Sequence, residues 1–164
     1  IYLTEQNWKS REYENTVNGD GDKPGTLEII DEYGITETEN VAQYMTGVSY
    51  LHANQYQKAI DHLEKFDSDD LLISTLALGA IGDAYVELGK YEDAVEYYED
   101  AVDKSPNNIT SPIFLKKAGL AYLYGLNNKE KALECFRRIR AEFPDSRLLE
   151  DIHVNKYIEV AKIK

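Results

Sequence analysis

Apolar and polar residues alternate along this chain with a helical period. No stretch shows the strict in–out alternation of a strand. Leu3 to Val17 reads as a helix, followed by a polar loop, Asn18 to Gly25, and a short helix from Thr26 to Tyr33. Thr36 to Asn40 supplies helix-start chemistry ahead of Val41. Residues 146–163 predict a final helix, with Leu148, Leu149, Ile152, Tyr157, Ile158 and Ala161 on or near one stripe. The longest nearly apolar run is Leu71 to Gly82, interrupted by Ser74 and Thr75. It is twelve residues long, against about 20 for a bilayer span.

Between these flanks the pattern repeats. Gly47-Val48-Ser49-Tyr50, Gly82-Asp83-Ala84-Tyr85 and Gly119-Leu120-Ala121-Tyr122 superpose. Each is followed by a turn, then by an alanine (Ala59, Ala94, Ala132), then four residues later by a bulky apolar residue (Leu63, Tyr98, Phe136). Pro106 and Pro144 close the second and third copies, where they stop a helix from continuing. Glycine-to-glycine spacings are 35 and 37 residues. The extra length falls around Asn107 to Ser111 and in the turn Gly125 to Lys129. Small residues at such places let two antiparallel helices approach closely. The tyrosine three residues on shares the glycine's helix face and fills the space between neighbours. Asn54, Gly89 and Gly125 fall where a left-handed residue ends the first helix of each pair.

The small residue, the following Tyr, the Ala, the aromatic and the closing Pro resemble the tetratricopeptide repeat. The first copy, with Leu63 and no proline, departs from it most. The resemblance implies an all-α solenoid of antiparallel helix pairs. Its units lie at about 40–73, 75–108 and 112–145. Residues 1–39 form a degenerate N-terminal repeat and residues 146–164 a C-terminal capping helix, all in one structural domain. Terminal elements of such a stack must cover its open ends. The resemblance also implies a concave groove lined by first helices. The groove positions that carry over and suit a peptide or protein ligand are Tyr44, His52, Asp83, Glu87, Lys116 and Tyr124. Val48, Leu51, Val86, Leu120 and Leu123 are read as packing, and Gly79 falls at a groove position too. The basic and Asn-rich clamp of relatives that grip carboxylate tails is absent, and Asp83 and Glu87 would repel such a tail.

Ala141 to Ser146 is similar to repeat ends of bacterial envelope proteins. Ile29 to Gly34 and Leu78 to Tyr85 are similar to inner-membrane-anchored periplasmic tetratricopeptide proteins associated with the Sec translocon and periplasmic chaperones. This second resemblance implies a periplasmic location, held by an N-terminal anchor ahead of Ile1; the alternative is the cytoplasm. The sequence opens on Ile1 rather than Met, which suits a piece of a longer protein.

The chain of 164 residues carries a net charge of −12. Residues 1–112 hold 23 acidic and 7 basic side chains, whereas residues 113–164 hold 7 and 11. Such an acidic body repels nucleic acid and anionic lipid. The basic end, with Lys116, Lys117, Arg137, Arg138 and Arg140, reads first as a solvated face balanced by Glu130, Glu134 and Glu142. A single cysteine, Cys135, permits no internal disulfide and is expected to be buried and inert. His52, His62 and His153 lack metal-pair spacing. Asn18 to Lys23 has the oxygen ligands of a calcium loop, but Lys23 and Ile29 stand where glycine and the bidentate glutamate belong, so a polar turn is expected. No catalytic or phosphate-binding motif is present and no cofactor is implied. The expectation is a non-catalytic adaptor that binds a protein or peptide. The alternative is a self-associating structural module whose basic end meets an acidic flank of another copy.

Overall fold

The computed structural model describes residues 11–34, 36–146 and 154–162. Among these, every regular element is helical, and the only other pairing is an isolated bridge between Gly19 and Pro24. The helices are α1 (11–18), α2 (Thr26–Tyr33), α3 (Glu37–His52), α4 (Tyr56–Leu63), α5 (Leu71–Glu87), α6 (Tyr91–Lys104), α7 (Ser111–Leu120), α8 (Lys129–Glu142) and α9 (Val154–Lys162). The expected helix start at Leu3 lies outside the described residues, as do Leu148, Leu149 and Ile152. The chain divides into two compact units, Ile1–Asp67 and Ser68–Lys164.

In the first unit α2 packs on α3 and α3 on α4. The loop between α1 and α2 is the polar turn expected of it. The Asp20 carboxylate accepts from the backbone N–H groups of Asp22 and Lys23, which holds its pKa below the ordinary value. Thr36 caps α3 by accepting from the Glu39 N–H. After α4 the chain is tied back to α3. Asn40 donates from its side-chain amide to the Asp67 carbonyl and accepts from the Asp67 N–H. Val17, Tyr50 and Ala59 form a small apolar cluster. Ala42, Ile60 and Leu63 are buried in this unit too, as are four polar residues, Thr26, Gln43, Thr46 and Ser49. Thr46 donates to Thr26 Oγ1 at 2.6 Å, and Gln43 bonds the His62 ring at 2.7 Å.

The second unit stacks α5 on α6, α6 on α7, α7 on α8 and α8 on α9. Asp70 caps α5 through the N–H groups of Leu72 and Ile73, and Asn128 caps α8 through Lys131. The longer α6–α7 connection is organised by Asn107, whose Oδ1 accepts from the Ile109 and Thr110 N–H groups. A single large core runs from α6 to α9, with Tyr98, Phe114, Leu115, Phe136 and Ile139 all at most 4% exposed. Tyr157 of α9 stacks on Phe136 at 5.2 Å, while Ile158 and Ala161 are buried, so α9 covers α8.

The three copies of the motif make the same contact. A Cβ on Gly47 would meet Leu63 Cγ at 2.5 Å. On Gly82 it would meet the Tyr98 ring at 2.6 Å, and on Gly119 the Phe136 ring at 2.6 Å. Each glycine of a first helix is therefore the seat of the bulky residue of the second helix. Ala59, Ala94 and Ala132 have no exposed surface. The fold is thus an all-α, tetratricopeptide-type array of antiparallel helix pairs.

One turn departs from expectation. Asn54 and Gly89 are left-handed (φ 59° and 72°), but in the third pair the left-handed residue is Asn127 (φ 50°), not Gly125. The Tyr50 carbonyl accepts from Gln55 N–H and that of Tyr85 from Lys90 N–H, whereas that of Tyr122 accepts from Asn128 N–H, one residue further along. The extra residue is absorbed in a π-helical turn, Ala121–Gly125. Gly125 serves packing instead, since a Cβ there would meet the Tyr91 ring at 2.3 Å.

Candidate functional site

The six groove residues read from the sequence have different surroundings. Tyr44 and His52 lie on α3, in the first unit. Tyr44 is half-buried against Phe66, and burial raises its phenol pKa. His52 is exposed and stacks on Tyr13 at 4.8 Å. The other four belong to the second unit. Lys116 turns towards α9, with its ammonium 5.8 Å from the Tyr157 ring. Glu87 is exposed at the end of α5, and Tyr124, 69% exposed, stands in the π-helical turn.

Asp83 is engaged internally. Lys117 Nζ lies 2.7 Å from both of its carboxylate oxygens, and the Tyr98 hydroxyl donates to Oδ1 at 2.6 Å. Burial and the adjacent carboxylate keep the Tyr98 phenol protonated, well above its ordinary range. Lys117, not Lys116, is the basic residue of this face. The pair joins α5 to α7, as does Phe114, whose ring fills the space beside Gly79. Gly79 is therefore a packing seat and not a groove position.

Sequence reasoning passed over the other end of α5. Leu71, Leu72, Ile73 and Leu76 are 52%, 54%, 38% and 40% exposed. At 100° per residue, Leu72, Ile73, Leu76, Ala80, Asp83 and Glu87 fall within one arc of about 100°; Leu72, Ile73, Leu76 and Glu87 are exposed, and Ala80 and Asp83 are partly so. The signal was in the sequence. Apolar residues fall on every side of Leu71 to Gly82, so a helix with only some of its sides covered must leave others bare. The resulting face is apolar at its N-terminal end and acidic at its C-terminal end.

A second concavity lies in the first unit. It is an open groove of about 1030 Å³ between α1, α2 and α3, with Ile29, Val41, Ala42 and Met45 on its apolar wall. Its rim carries both signs of charge, Arg11 and Lys23 against Glu12, Asp20 and Glu37, so it selects for neither. Among the described residues, no group of His, Cys, Asp and Glu side chains is placed to hold a metal ion, and no helix is long and apolar enough to cross a membrane. Cys135 is 4% exposed, and burial pushes its thiol up to about 12, which makes it a poor nucleophile.

The family model for "T7SS, ESX-1 secretion system protein EccA1, N-terminal domain" matches residues 13–157. The chain belongs to this family. No curated protein matches it. The match gives no support to the resemblance with Sec-associated, inner-membrane-anchored periplasmic proteins. The segments that carried that resemblance have structural work to do: Ile29 to Gly34 completes and ends α2, and Leu78 to Tyr85 contains the seats Gly79 and Gly82. The family is named after a protein of a secretion system.

Proposed function

We propose that this domain is a non-catalytic adaptor of a type VII secretion system, binding a protein partner through the outward face of α5 and Tyr124. The observation that carries this reading is the exposed apolar end of α5. Four large aliphatic side chains within six residues stand open to solvent in a helix that is otherwise well packed. Complete burial of such a side chain from full exposure is worth about 1.5–3 kcal/mol, so covering one of these half-exposed ones contributes about half of that before the costs of association. Glu87 and Tyr124 retain the binding role first read for them. Asp83 acts through the Lys117 pair by tying α5 to α7. Of the repeats at 40–73, 75–108 and 112–145, the second and third, with the end helix, hold α5 in place. Of the two locations considered, we favour the cytoplasm, since the family match leaves the periplasmic one without support.

Photo-cross-linking tests the assignment. A benzoyl-phenylalanine probe at position 72, 76 or 124 is expected to capture one secretion-system protein in cells. A probe at position 93 or 100, exposed on α6, is expected to capture none. Capture from the α6 positions alone would overturn the reading.

A further inference from the structure

We infer that the occupant of the α5 face is an amphipathic helix of a protein partner, with an aliphatic stripe and basic residues at its ends. This inference rests on the reading that the α5 face binds protein, and adds the chemistry of what it binds. Two features of α5 carry it.

The first is shape. Leu72 and Leu76 are one helical turn apart, and Ile73 flanks them on the same arc. A straight apolar row on a helix accepts another helix by inserting side chains between its ridges, with partner anchors at i, i+3, i+4 and i+7. An extended strand has no comparable fit. The backbone groups of α5 are spent within the helix and at its Asp70 cap, so no sheet edge is offered.

The second is charge. The apolar row is bracketed by carboxylates. Asp69 and Asp70, both exposed, precede it, and Glu87 ends the face. From residue 70 to residue 87 the helix runs about 25 Å. A partner helix of similar length therefore meets negative charge at both ends and aliphatic surface between. Lys or Arg at its termini would be complementary, and Asp or Glu there would be repelled. The Lys117 ammonium does not reverse this preference, because it is spent on Asp83 at 2.7 Å.

The probe is a synthetic 18-residue peptide with Leu at i, i+4, i+7 and i+11, two Lys at each end, and Ala and Gln elsewhere. Two companions have the same composition with the Leu stripe scrambled, or Glu in place of every Lys. Binding to the whole chain is read by fluorescence anisotropy at 25 and 300 mM salt. The striped Lys peptide is expected to bind, and at least tenfold more tightly than either companion. Leu72→Asp/Leu76→Asp should weaken it at least tenfold. Asp69→Asn/Asp70→Asn, which keeps a capping side chain at 70, should weaken it several-fold at low salt and little at high salt. Glu96→Lys on α6 should leave it unchanged. Equal binding of the scrambled or the Glu peptide, no binding of the Lys peptide, or binding that survives the Leu72/Leu76 change would overturn the inference. Cross-links from positions 72 and 76 alongside a silent Lys peptide would overturn the helix chemistry alone. Cross-links confined to α6 would remove the face itself.

Discussion

The pair α3/α4 and the pair α5/α6 use the same seat with different fillings. Gly47 receives an aliphatic leucine, and the helix that supplies it, α4, has 8 residues. Gly82 receives a tyrosine ring from α6, which has 14. In the first unit buried Ile60 and Leu63 share the interior with two polar contacts, Thr46 to Thr26 and Gln43 to His62. Around the second seat the interior belongs to an apolar core continuing to α9. A net hydrogen bond contributes about 0.5–1.5 kcal/mol, whereas a fully buried aliphatic or aromatic side chain contributes about 1.5–3 kcal/mol. The first unit should therefore open more readily than the second. The second, with the firmer core, bares four aliphatic side chains at the start of α5, whereas the first bares Val41 and Met45 on α3.

The comparison is most strongly tested in the cores. Phe136→Ala should cost about 3–5 kcal/mol, and Leu63→Ala about 2–5 kcal/mol towards its lower end, measured by urea melts. Amide exchange should show α3 and α4 opening before α5 to α8. Equal protection across both units would erase the distinction.

Next in size is the buried polar contact of the first unit. Thr46→Val leaves the buried Thr26 hydroxyl without its partner and should cost about 1–3 kcal/mol. Thr26→Val/Thr46→Val should recover most of that loss. A double variant as unstable as the sum of the two singles would mean that the hydrogen bond is not what matters there.

The corresponding polar contact of the second unit is worth less. Lys117 and Asp83 are each 35% exposed, so Lys117→Met should cost no more than about 1 kcal/mol. A larger loss would mean that solvent screens this tie between α5 and α7 less than its exposure implies.

The smallest effect is in pH. Burial lowers the pKa of His62 below its ordinary 6.5, so the folded chain holds the neutral ring while the unfolded chain takes up the proton more readily. Stability from this source is present above about pH 6.5 and declines as pH falls through that value. His62→Gln should melt with a shallower loss between pH 7.5 and 5.5. Parallel curves for variant and parent would exclude His62 as the cause.

Much of this was legible in the sequence, for a specific reason. The motif glycine and a bulky apolar residue recur 16, 16 and 17 residues apart, so Gly47, Gly82 and Gly119 and then Leu63, Tyr98 and Phe136 were legible as matching positions; that each glycine seats the bulky residue is what the structure adds. Thr26 to Tyr33 was read with the bounds that α2 has. Site residues were harder to read because exposure depends on which neighbour covers a helix side. Asp83 looked available, but its partner Lys117 lies 34 residues away on the next first helix. Gly79 looked like groove, but Phe114 fills the space above it. The π-helical turn was hidden because one added residue puts the left-handed position eight residues past the motif glycine, at Asn127, where the other two pairs have it seven past, and Gly125 stood nearby as the residue type such a position favours.

The seat of Tyr98 over Gly82 is tested most directly by a double-mutant cycle followed in denaturant. Gly82→Ala alone should destabilise by about 1–3 kcal/mol, because the added methyl meets a buried ring that cannot move away. Placed in a Tyr98→Ala background, the same change should be neutral or stabilising by up to about 1 kcal/mol, as alanine's helix preference is then unopposed. The same destabilisation in both backgrounds would mean that the two residues are not in contact, and that the helix pairs are not built on these seats.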